Sequence, residues 1–362
     1  MHKLEPFNQK KWLVTYSLSL LSLIFLGFLF VFEASLVESS QTFDNPYQLF
    51  QQHLIGAGIG LIALIIGAIT PFPWWQNFAP YGFIIGLLLL IAVFIPGLGL
   101  ELNGARRWLD LPGFTFQPVE FFKFALILFF STWLPKHQKL ASFLLCLSLP
   151  SMLLLLQPDL GSLLLVLTLG FSLFFLAGGK LKHVLLLFLS GLPILFLTIL
   201  ISPYRWQRVM TFFNPESDPL GSSFHIRQIV VALGRGGWFG QGLGNSQQKY
   251  SYIPEASTDS IFAIIGEETG FVGCLIIILL YLGLIVSGFR LASNPRLSPS
   301  GQLFGLGITT WITTQTVLNL SAVVSLAPLT GVPLPFFSYG RSSQVMLMLA
   351  AGCLLHLGRK KQ

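Results

Sequence analysis

Four carboxylates lie in one short stretch of the sequence, YIPEASTDSIFAIIGEETG at residues 252–270: Glu255, Asp259, Glu267 and Glu268. Asp259 stands where this polar stretch becomes an apolar run, so a substrate on the aqueous side could reach it. A carboxylate in that position can act as a general base toward a substrate hydroxyl. Asp259 could instead cap the helix that the run predicts, or support it from the first turn with Thr258 as the cap. The sequence leaves both roles open.

Glu267 and Glu268 lie two to three helical turns inside the apolar run. A charge at the centre of a membrane helix costs about 2.5–3.5 kcal/mol on insertion scales. We therefore expect both side chains to have structural roles, paired with polar groups on neighbouring helices. Glu255, on the loop side, is predicted to support substrate binding.

A second charged pair stands in FQPVEFFKFALILFF, residues 116–130. Pro118 suits the first turn of a helix, and Glu120 and Lys123 are three residues apart, so they share one helical face. That face meets the membrane, where a charge must be paired or must face a cavity. The pair is either a structural ion pair or the charged wall of a substrate cavity.

Basic side chains accompany the acids on the predicted outer face. Arg106 and Arg107 stand in NGARRW, Arg205 and Arg208 in PYRWQRV, and Lys249 follows a glycine-rich loop. Arginine binds phosphate well because its planar guanidinium presents several N–H donors. It also extends toward lipid headgroups while its stem stays in apolar surroundings. Phosphate binding and headgroup contact both fit these residues.

The loop LGRGGWFGQGLGN, residues 233–245, is rich in glycine. Its backbone N–H groups, beside Arg227 and Arg235, could hold an anion, or the glycines could only form turns. No strand precedes the loop, which excludes a dinucleotide-binding fold. Residues 222–233 predict an amphipathic re-entrant or interfacial helix.

Hydroxyl groups follow three prolines in PLTGVPLPFFSYGRSS, where Ser338, Ser342 and Ser343 could line a substrate pocket or cap the last helix. No GxSxG motif and no nearby histidine accompany them, so a serine hydrolase is excluded. In QPDLGS, Asp159 is predicted to cap the helix that follows.

The elements that position these residues must lie in a membrane. The chain is 53% hydrophobic and 10% charged, with a mean hydropathy of +0.74, whereas soluble domains carry about 25% charged residues. The net charge of +7 fits cytoplasmic loops and anionic membrane lipids rather than nucleic acid. The three cysteines form neither a disulfide framework nor a metal-type pattern.

Ten apolar segments predict membrane-spanning helices. They lie roughly at 12–33, 50–70, 78–97, 117–134, 140–156, 160–178, 183–201, 260–289, 303–325 and 341–357. We predict an all-α polytopic membrane protein with a single domain over 1–362 and a large extracytoplasmic loop at about 202–259. The first run lacks a small-residue cleavage site, so we interpret it as a retained anchor. The distribution of Lys and Arg places both termini in the cytoplasm.

Five motifs occur in one order between about residues 100 and 345: NGARRW, FQPVEFFK, QPDLGS, GQGLGNSQQKYSYIPEASTDSIFAIIGEETGFVG and PLTGVPLPFFSYGRSS. Together they resemble the motifs of the SEDS family of shape, elongation, division and sporulation proteins, which includes FtsW, RodA and SpoVE. The run GLGNSQQKYSYIPEA is more similar to the division branch, FtsW, than to the elongation branch, RodA.

The resemblance implies a peptidoglycan glycosyltransferase in the bacterial cytoplasmic (inner) membrane. Its substrate would be lipid II, an undecaprenyl-pyrophosphate-linked disaccharide peptide, and its partner a class B penicillin-binding protein among divisome or elongasome proteins. The essential aspartate of the family maps onto Asp259, and its Glu and Lys onto Glu120 and Lys123. A divalent cation, Mg²⁺ or Mn²⁺, could neutralise the pyrophosphate, but the sequence shows no dedicated metal ligands.

Four positions depart from the family pattern. Ser257 replaces a histidine, Ser260 a phenylalanine, Val119 the serine of QPSE, and Arg341 the second glycine of SYGG. The aspartate and the Glu–Lys pair are retained, so these departures alone do not imply an inactive protein.

Three other functions also fit parts of the sequence. An elongation-type polymerase similar to RodA belongs to the same family. A transporter, in particular a lipid flippase, also has broken helices and intramembrane charges, although here the charged loops gather on one face. A non-catalytic scaffold that recruits a synthase would not need Asp259.

Overall fold

The computed structural model describes residues 9–43, 45–102, 104–112, 114–201, 203–214, 223–249 and 257–359. The two termini, residues 215–222 and 250–256, which include Glu255, and four single positions lie outside the described residues, as does the side chain of Arg205. Within the described ranges the chain forms twelve helices and three strands. In chain order they are α1 (Gln9–Thr42), α2 (Gln48–Ile69), α3 (Phe72–Ala92), β1 (Gly99–Leu102), β2 (Ala105–Leu111), β3 (Phe114–Phe116), α4 (Pro118–Trp133), α5 (Leu140–Leu156), α6 (Leu160–Leu176), α7 (Leu181–Ile201), α8 (Pro203–Phe213), α9 (Phe224–Gly236), α10 (Ile261–Ala292), α11 (Pro299–Val323) and α12 (Arg341–Arg359).

Each of the ten predicted apolar segments corresponds to one helix, namely α1 to α7 and α10 to α12. In the described part of the chain, four helices are long and apolar enough to cross a membrane: Gln9–Ser40, Gln48–Ile69, Phe72–Ala92 and Ile261–Ala292. Large apolar side chains such as Ile55, Leu88, Leu145 and Leu279 are exposed on the helices, as expected for surfaces in contact with lipid. The chain is a multi-pass membrane protein, and the number of ten crossings stays a prediction.

The third helix begins earlier than predicted, at Phe72 rather than near residue 78. Pro73 is accepted in its first turn because that position needs no N–H donor. The helix ends at Ala92 rather than at 97, and Gly97 then has a positive φ of 87°. The hydropathy window missed this start because Pro73 and the two tryptophans after it lower the local average.

The segment between α3 and α4 forms a small sheet, whereas the sequence predicted an all-α protein. The strands pair antiparallel in the order β1-β2-β3. The ladder satisfies backbone N–H and C=O groups that lipid could not satisfy. Arg107 of β2 ties the sheet to the α5–α6 connection, because it donates to the carbonyls of Gln157 and Pro158.

The predicted loop at 202–259 contains two helices, α8 and α9. The latter covers most of the helix predicted at 222–233. The core of the molecule lies where α4, α6, α10, α11 and α12 meet, and Phe122, Phe304, Trp311 and Phe337 are fully buried there. In this core α11 packs against both α4 and α10. Glu120 and Lys123 lie on α4, and the Asp259 turn leads into α10.

Candidate active site

Asp259 lies in a buried turn, residues 257–260, that leads into α10. Its side chain is only 8% exposed, and its Oδ2 lies 3.9 Å from the point that a Cβ on Gly331 would occupy. The carboxylate thus faces the segment between α11 and α12, residues 324–340. The N-cap residue of α10 is Ser260, and its side chain makes no capping hydrogen bond. Asp259 is therefore not the N-cap of α10, because the next residue, Ser260, occupies that position.

Four other elements hold this turn in place. The carbonyl of Ser257 accepts from the N–H of Tyr339 at 2.7 Å, and its hydroxyl donates to Glu38 of α1 at 2.6 Å. Asn319 of α11 donates to the carbonyl of Asp259 at 2.8 Å. The hydroxyl of Ser260 shares a 2.7 Å hydrogen bond with His225 Nε2 of α9. Both serines that depart from the family motif are thus hydrogen-bonded.

Glu120 and Lys123 form a buried ion pair in α4. Their charged atoms are 2.9 Å apart, and the side chains are 2% and 1% exposed. Lys123 Nζ also donates to Gln315 Oε1 at 3.3 Å and lies 5.1 Å from the centre of the Trp311 ring. Burial in a low-dielectric interior is tolerated because the two charges face each other with further polar and aromatic partners.

Two amides of α11 connect this ion pair to the Asp259 turn. Gln315 accepts from Lys123 and donates to the carbonyl of Pro333 at 2.9 Å. Asn319, one helical turn later, donates to the carbonyls of Asp259 and Val332. The two amides thus bond to the neighbouring carbonyls of Pro333 and Val332, and in this way the Glu120–Lys123 pair is linked to the backbone of Asp259. Sequence reasoning missed Gln315 and Asn319, although their spacing of four on an otherwise apolar helix places them on one face.

Glu267 and Glu268 hold the glycine-rich loop rather than pairing mainly with neighbouring helices as predicted. Glu267 accepts from the hydroxyl of Ser246 and from the N–H groups of Gln247 and Gln248, at 3.3 and 3.2 Å. Arg235 Nε lies 3.7 Å from Oε1 of Glu267. The segment directly after the loop, residues 246–248, thus binds an anion, and that anion is the Glu267 carboxylate of the same chain.

Lys249 completes this cluster. Its Nζ lies 3.1 Å from Glu268 and 3.4 Å from Glu33 of α1, and it donates to the carbonyl of Gly244 at 2.8 Å. An ammonium group has three N–H donors, and these contacts account for all three. The predicted substrate contact of Lys249 would therefore require this cluster to rearrange.

The cluster depends on a break in α10 at Gly270, which has φ 66° and ψ −167°. The break lets the loop approach the helix backbone, so that Phe271 N–H donates to the carbonyl of Gly237 at 2.9 Å. A Cβ on Gly270 would stand 2.4 Å from the nitrogen of Gly240. Glycine is needed here for its backbone conformation and for the close approach.

The predicted hydroxyl cluster makes main-chain contacts. Ser338 accepts from the N–H of Leu334 at 2.7 Å, and Ser342 accepts from Gln117, which precedes α4, at 3.0 Å. Ser343 is buried in the first turn of α12. Arg341 donates to the Thr115 hydroxyl at 3.3 Å. These contacts join the start of α12 to the start of α4.

The arginines differ in their surroundings. Arg106 pairs with Glu101 at 3.1 Å on the exposed face of the sheet, whereas Arg107 is bound to backbone carbonyls. Arg208 of α8 donates to the carbonyl of Leu329 at 2.8 Å. Burial, and secondarily the positive charge of Arg208, lower the pKa of His225 to about 4.

Asp159 has the structural role that the sequence predicted. It accepts from the N–H of Ser162 at 3.1 Å and is the N-cap of α6.

A metal site does not emerge from the described residues, because no group of three or more His, Cys, Asp or Glu there could hold an ion. Mg²⁺ and Mn²⁺ prefer oxygen ligands, and Mg²⁺ is usually held by one or two carboxylates together with waters and substrate phosphates. In the site, Glu120 faces Lys123, and Glu38 faces Ser257.

Comparisons with known proteins agree with the motifs and the fold. The family described as cell cycle protein FtsW/RodA/SpoVE matches residues 13–362. Stage V sporulation protein E of Bacillus subtilis is 38% identical over 348 residues, which cover 94% of each chain. The probable peptidoglycan glycosyltransferase FtsW of Coxiella burnetii is 38% identical over 358 residues, which cover 96% of this chain and 95% of that one.

Among solved structures, one chain from work on polymerization and crosslinking by a peptidoglycan synthase complex matches with a TM-score of 0.77 and 29% identity. The match covers 95% of this chain and 96% of that chain. The chain therefore belongs to the FtsW, RodA and SpoVE family of cell cycle proteins.

Proposed function

We propose that this protein is a peptidoglycan glycosyltransferase of the division type, similar to FtsW, which polymerises lipid II into glycan strands. The observation that carries the proposal is the buried Asp259 turn, joined through Asn319 and Gln315 to the Glu120–Lys123 pair. The names of its relatives support the same activity. The whole chain would act as one domain in the bacterial cytoplasmic membrane, with both termini cytoplasmic and the 202–259 connection on the outer face.

Asp259 is the general base of the proposed reaction. The hydroxyl oxygen of the acceptor sugar attacks the anomeric carbon of the donor, and the proton of that hydroxyl passes to the Asp259 carboxylate. The bond from the anomeric carbon to the pyrophosphate breaks with inversion, and undecaprenyl pyrophosphate leaves. A positioned carboxylate contributes about 10²–10⁴-fold to such a step.

The other residues bind and orient the substrate. The leaving pyrophosphate gains negative charge, which arginines among 106, 107, 205 and 208 would stabilise. Arg208 is connected to the site, because it donates to the carbonyl of Leu329 and its charge contributes to the lowered pKa of His225, which bonds to Ser260. Glu120 and Lys123 shape the cavity and orient the Asp259 turn through α11. No step is assigned to a divalent cation.

The products need a second enzyme. Polymerisation leaves uncrosslinked glycan strands, so we propose a class B penicillin-binding protein, a transpeptidase, as the partner. The related chain from a peptidoglycan synthase complex supports this assembly. Other divisome proteins would bring the pair to the division site.

The direct test is polymerisation of lipid II by the purified protein in liposomes, with and without its partner. Lipid II is supplied only in the leaflet that the 202–259 connection faces, so a flippase alone would yield no strands. Asp259→Ala should lower strand synthesis by about 10²–10⁴-fold without loss of thermal stability. Asp110→Ala, at an exposed position of β2, is the matched control and should keep full activity.

Full activity of Asp259→Ala would contradict the catalytic assignment. A variant that unfolds would instead show that Asp259 has a structural role in the turn. If the wild-type protein makes strands without the partner, the partner is needed only for crosslinking.

A further inference from the structure

We propose that His225 is a positioning residue for Asp259, acting through its hydrogen bond to Ser260. The inference rests on the proposed function and adds a residue to its active site. No motif in the sequence pointed to His225, because it lies in an amphipathic helix far from Asp259 along the chain.

The first step of the argument is the contact itself. His225 Nε2 lies 2.7 Å from Ser260 Oγ, and Ser260 is fully buried. Ser260 directly follows Asp259, so a restraint on Ser260 reaches the Asp259 backbone through a single peptide bond. A hydroxyl at residue 260 is what allows an imidazole to bond at this position.

The second step is the set of restraints on the turn. Asn319 holds the Asp259 carbonyl, and Tyr339 and Glu38 hold Ser257 on the preceding side. On the following side, the Ser260 carbonyl accepts from the N–H of Ala263 in α10 at 2.9 Å, and the Ser260 hydroxyl bonds to His225 of α9. Removing the His225 contact detaches the start of α10 from α9, so Ser260 and the adjoining Asp259 can shift relative to α9.

The third step is the protonation state of the ring. Burial and the nearby Arg208 lower the pKa of His225 to about 4, so the ring is neutral at neutral pH. A neutral imidazole has one donor and one acceptor nitrogen, and a hydroxyl can pair with either. At neutral pH the ring can therefore bond to Ser260 as a neutral group, and His225 adds no charge beside the proposed base.

Positioning of this kind affects the rate more than binding. A displacement of about 1 Å of a reacting group can cost about 10²-fold in rate, because the near-attack geometry is lost. We expect His225→Ala to lower kcat for lipid II polymerisation by roughly 10–10²-fold, with KM nearly unchanged. His225→Gln carries an amide close to the Nε2 position and should recover most of the activity.

A double-mutant cycle isolates the contact. If His225 acts through Ser260, His225→Ala should lower kcat no further in a Ser260→Ala background than Ser260→Ala does alone. His137→Ala, at an exposed histidine beyond the far end of α4, is the control and should match the wild type. Wild type and Asp259→Ala are run in the same assay, which separates failure of this inference from failure of the proposed function.

A second measurement does not depend on activity. Hydrogen–deuterium exchange of peptides covering residues 257–264 should be faster in His225→Ala and near the wild-type rate in His225→Gln. Wild-type kcat or unchanged exchange in His225→Ala would overturn the inference, as would additive effects in the cycle. Equal loss in the Ala and Gln variants would also overturn it, since the imidazole would then act otherwise than by holding Ser260.

Discussion

The Asp259 turn and the Glu267–Glu268 cluster lie on the same stretch of chain, but neighbouring residues bond to different parts of them. In the cluster the carboxylates themselves are the anchors, because Glu267 binds the N–H groups of the loop and Glu268 binds Lys249. At the turn, Asn319 donates to the backbone carbonyl of Asp259, and His225 and Glu38 bond to the flanking serines. Burial alone therefore does not distinguish a structural acid from a proposed catalytic one.

The contrast has a physical cause. A buried carboxylate is tolerated when cations and N–H donors replace its lost hydration. Glu267 and Glu268 receive such partners from a loop that glycines bring against the helix backbone. A general base has a different requirement, because its surroundings must fix its position while a substrate hydroxyl approaches it. Holding the backbone meets that requirement.

Lys249→Met is expected to cause the largest loss of stability among the variants that test this comparison. Removing the ammonium leaves Glu268 and Glu33 without their shared cation, and breaking a buried ion pair typically costs about 3–5 kcal/mol. The unfolding midpoint in detergent, followed by tryptophan fluorescence, should fall sharply, while activity per folded molecule stays near that of the wild type. Lys136→Met, at an exposed lysine, is the control. A stable but inactive Lys249→Met protein would instead place Lys249 at the substrate.

A smaller effect is expected from Gly270→Ala. The backbone conformation at Gly270 is almost restricted to glycine and costs other residues about 1–3 kcal/mol, and the added Cβ would press on Gly240. Thermal unfolding should therefore begin at a lower temperature. Gly58→Ala on α2 places its Cβ in open space and should cause no loss. Equal midpoints for the two variants would mean that the break in α10 does not hold the cluster together.

The smallest effect on stability is expected from Arg106→Ala. Its ion pair with Glu101 is about half exposed on both sides, at 47% and 54%, and such pairs contribute about 0–1 kcal/mol. Glu101→Ala removes the same pair but keeps the cation. Both variants should unfold near the wild-type temperature, and only Arg106→Ala should raise the KM for lipid II. Equal KM values would show that Arg106 does not contact the pyrophosphate.

Much of the architecture could be predicted from hydropathy, because a membrane helix must be apolar over its length. The ten apolar segments were found in this way, whereas the helix before the glycine-rich loop was predicted from its amphipathic character. The sheet at 99–116 was missed, since its strands are short and carry no strong alternation signal. The start of α3 was misplaced because Pro73 and its tryptophans lower the hydropathy of a turn that is nonetheless helical.

Some features of the candidate site could also be predicted from the sequence, and others depend on the tertiary structure. The sequence by itself determined that the protein lies in a membrane, that Glu120 and Lys123 share a helix face, and that Asp259 stands at the entrance to α10. Residue spacing is sufficient for those conclusions because each involves only one helix. The tertiary structure decided that Gln315 and Asn319 link the ion pair to the Asp259 turn, that Lys249 joins Glu33 and Glu268, and that His225 reaches Ser260. These contacts join residues far apart in the chain, and only the packing of helices brings them within hydrogen-bonding distance.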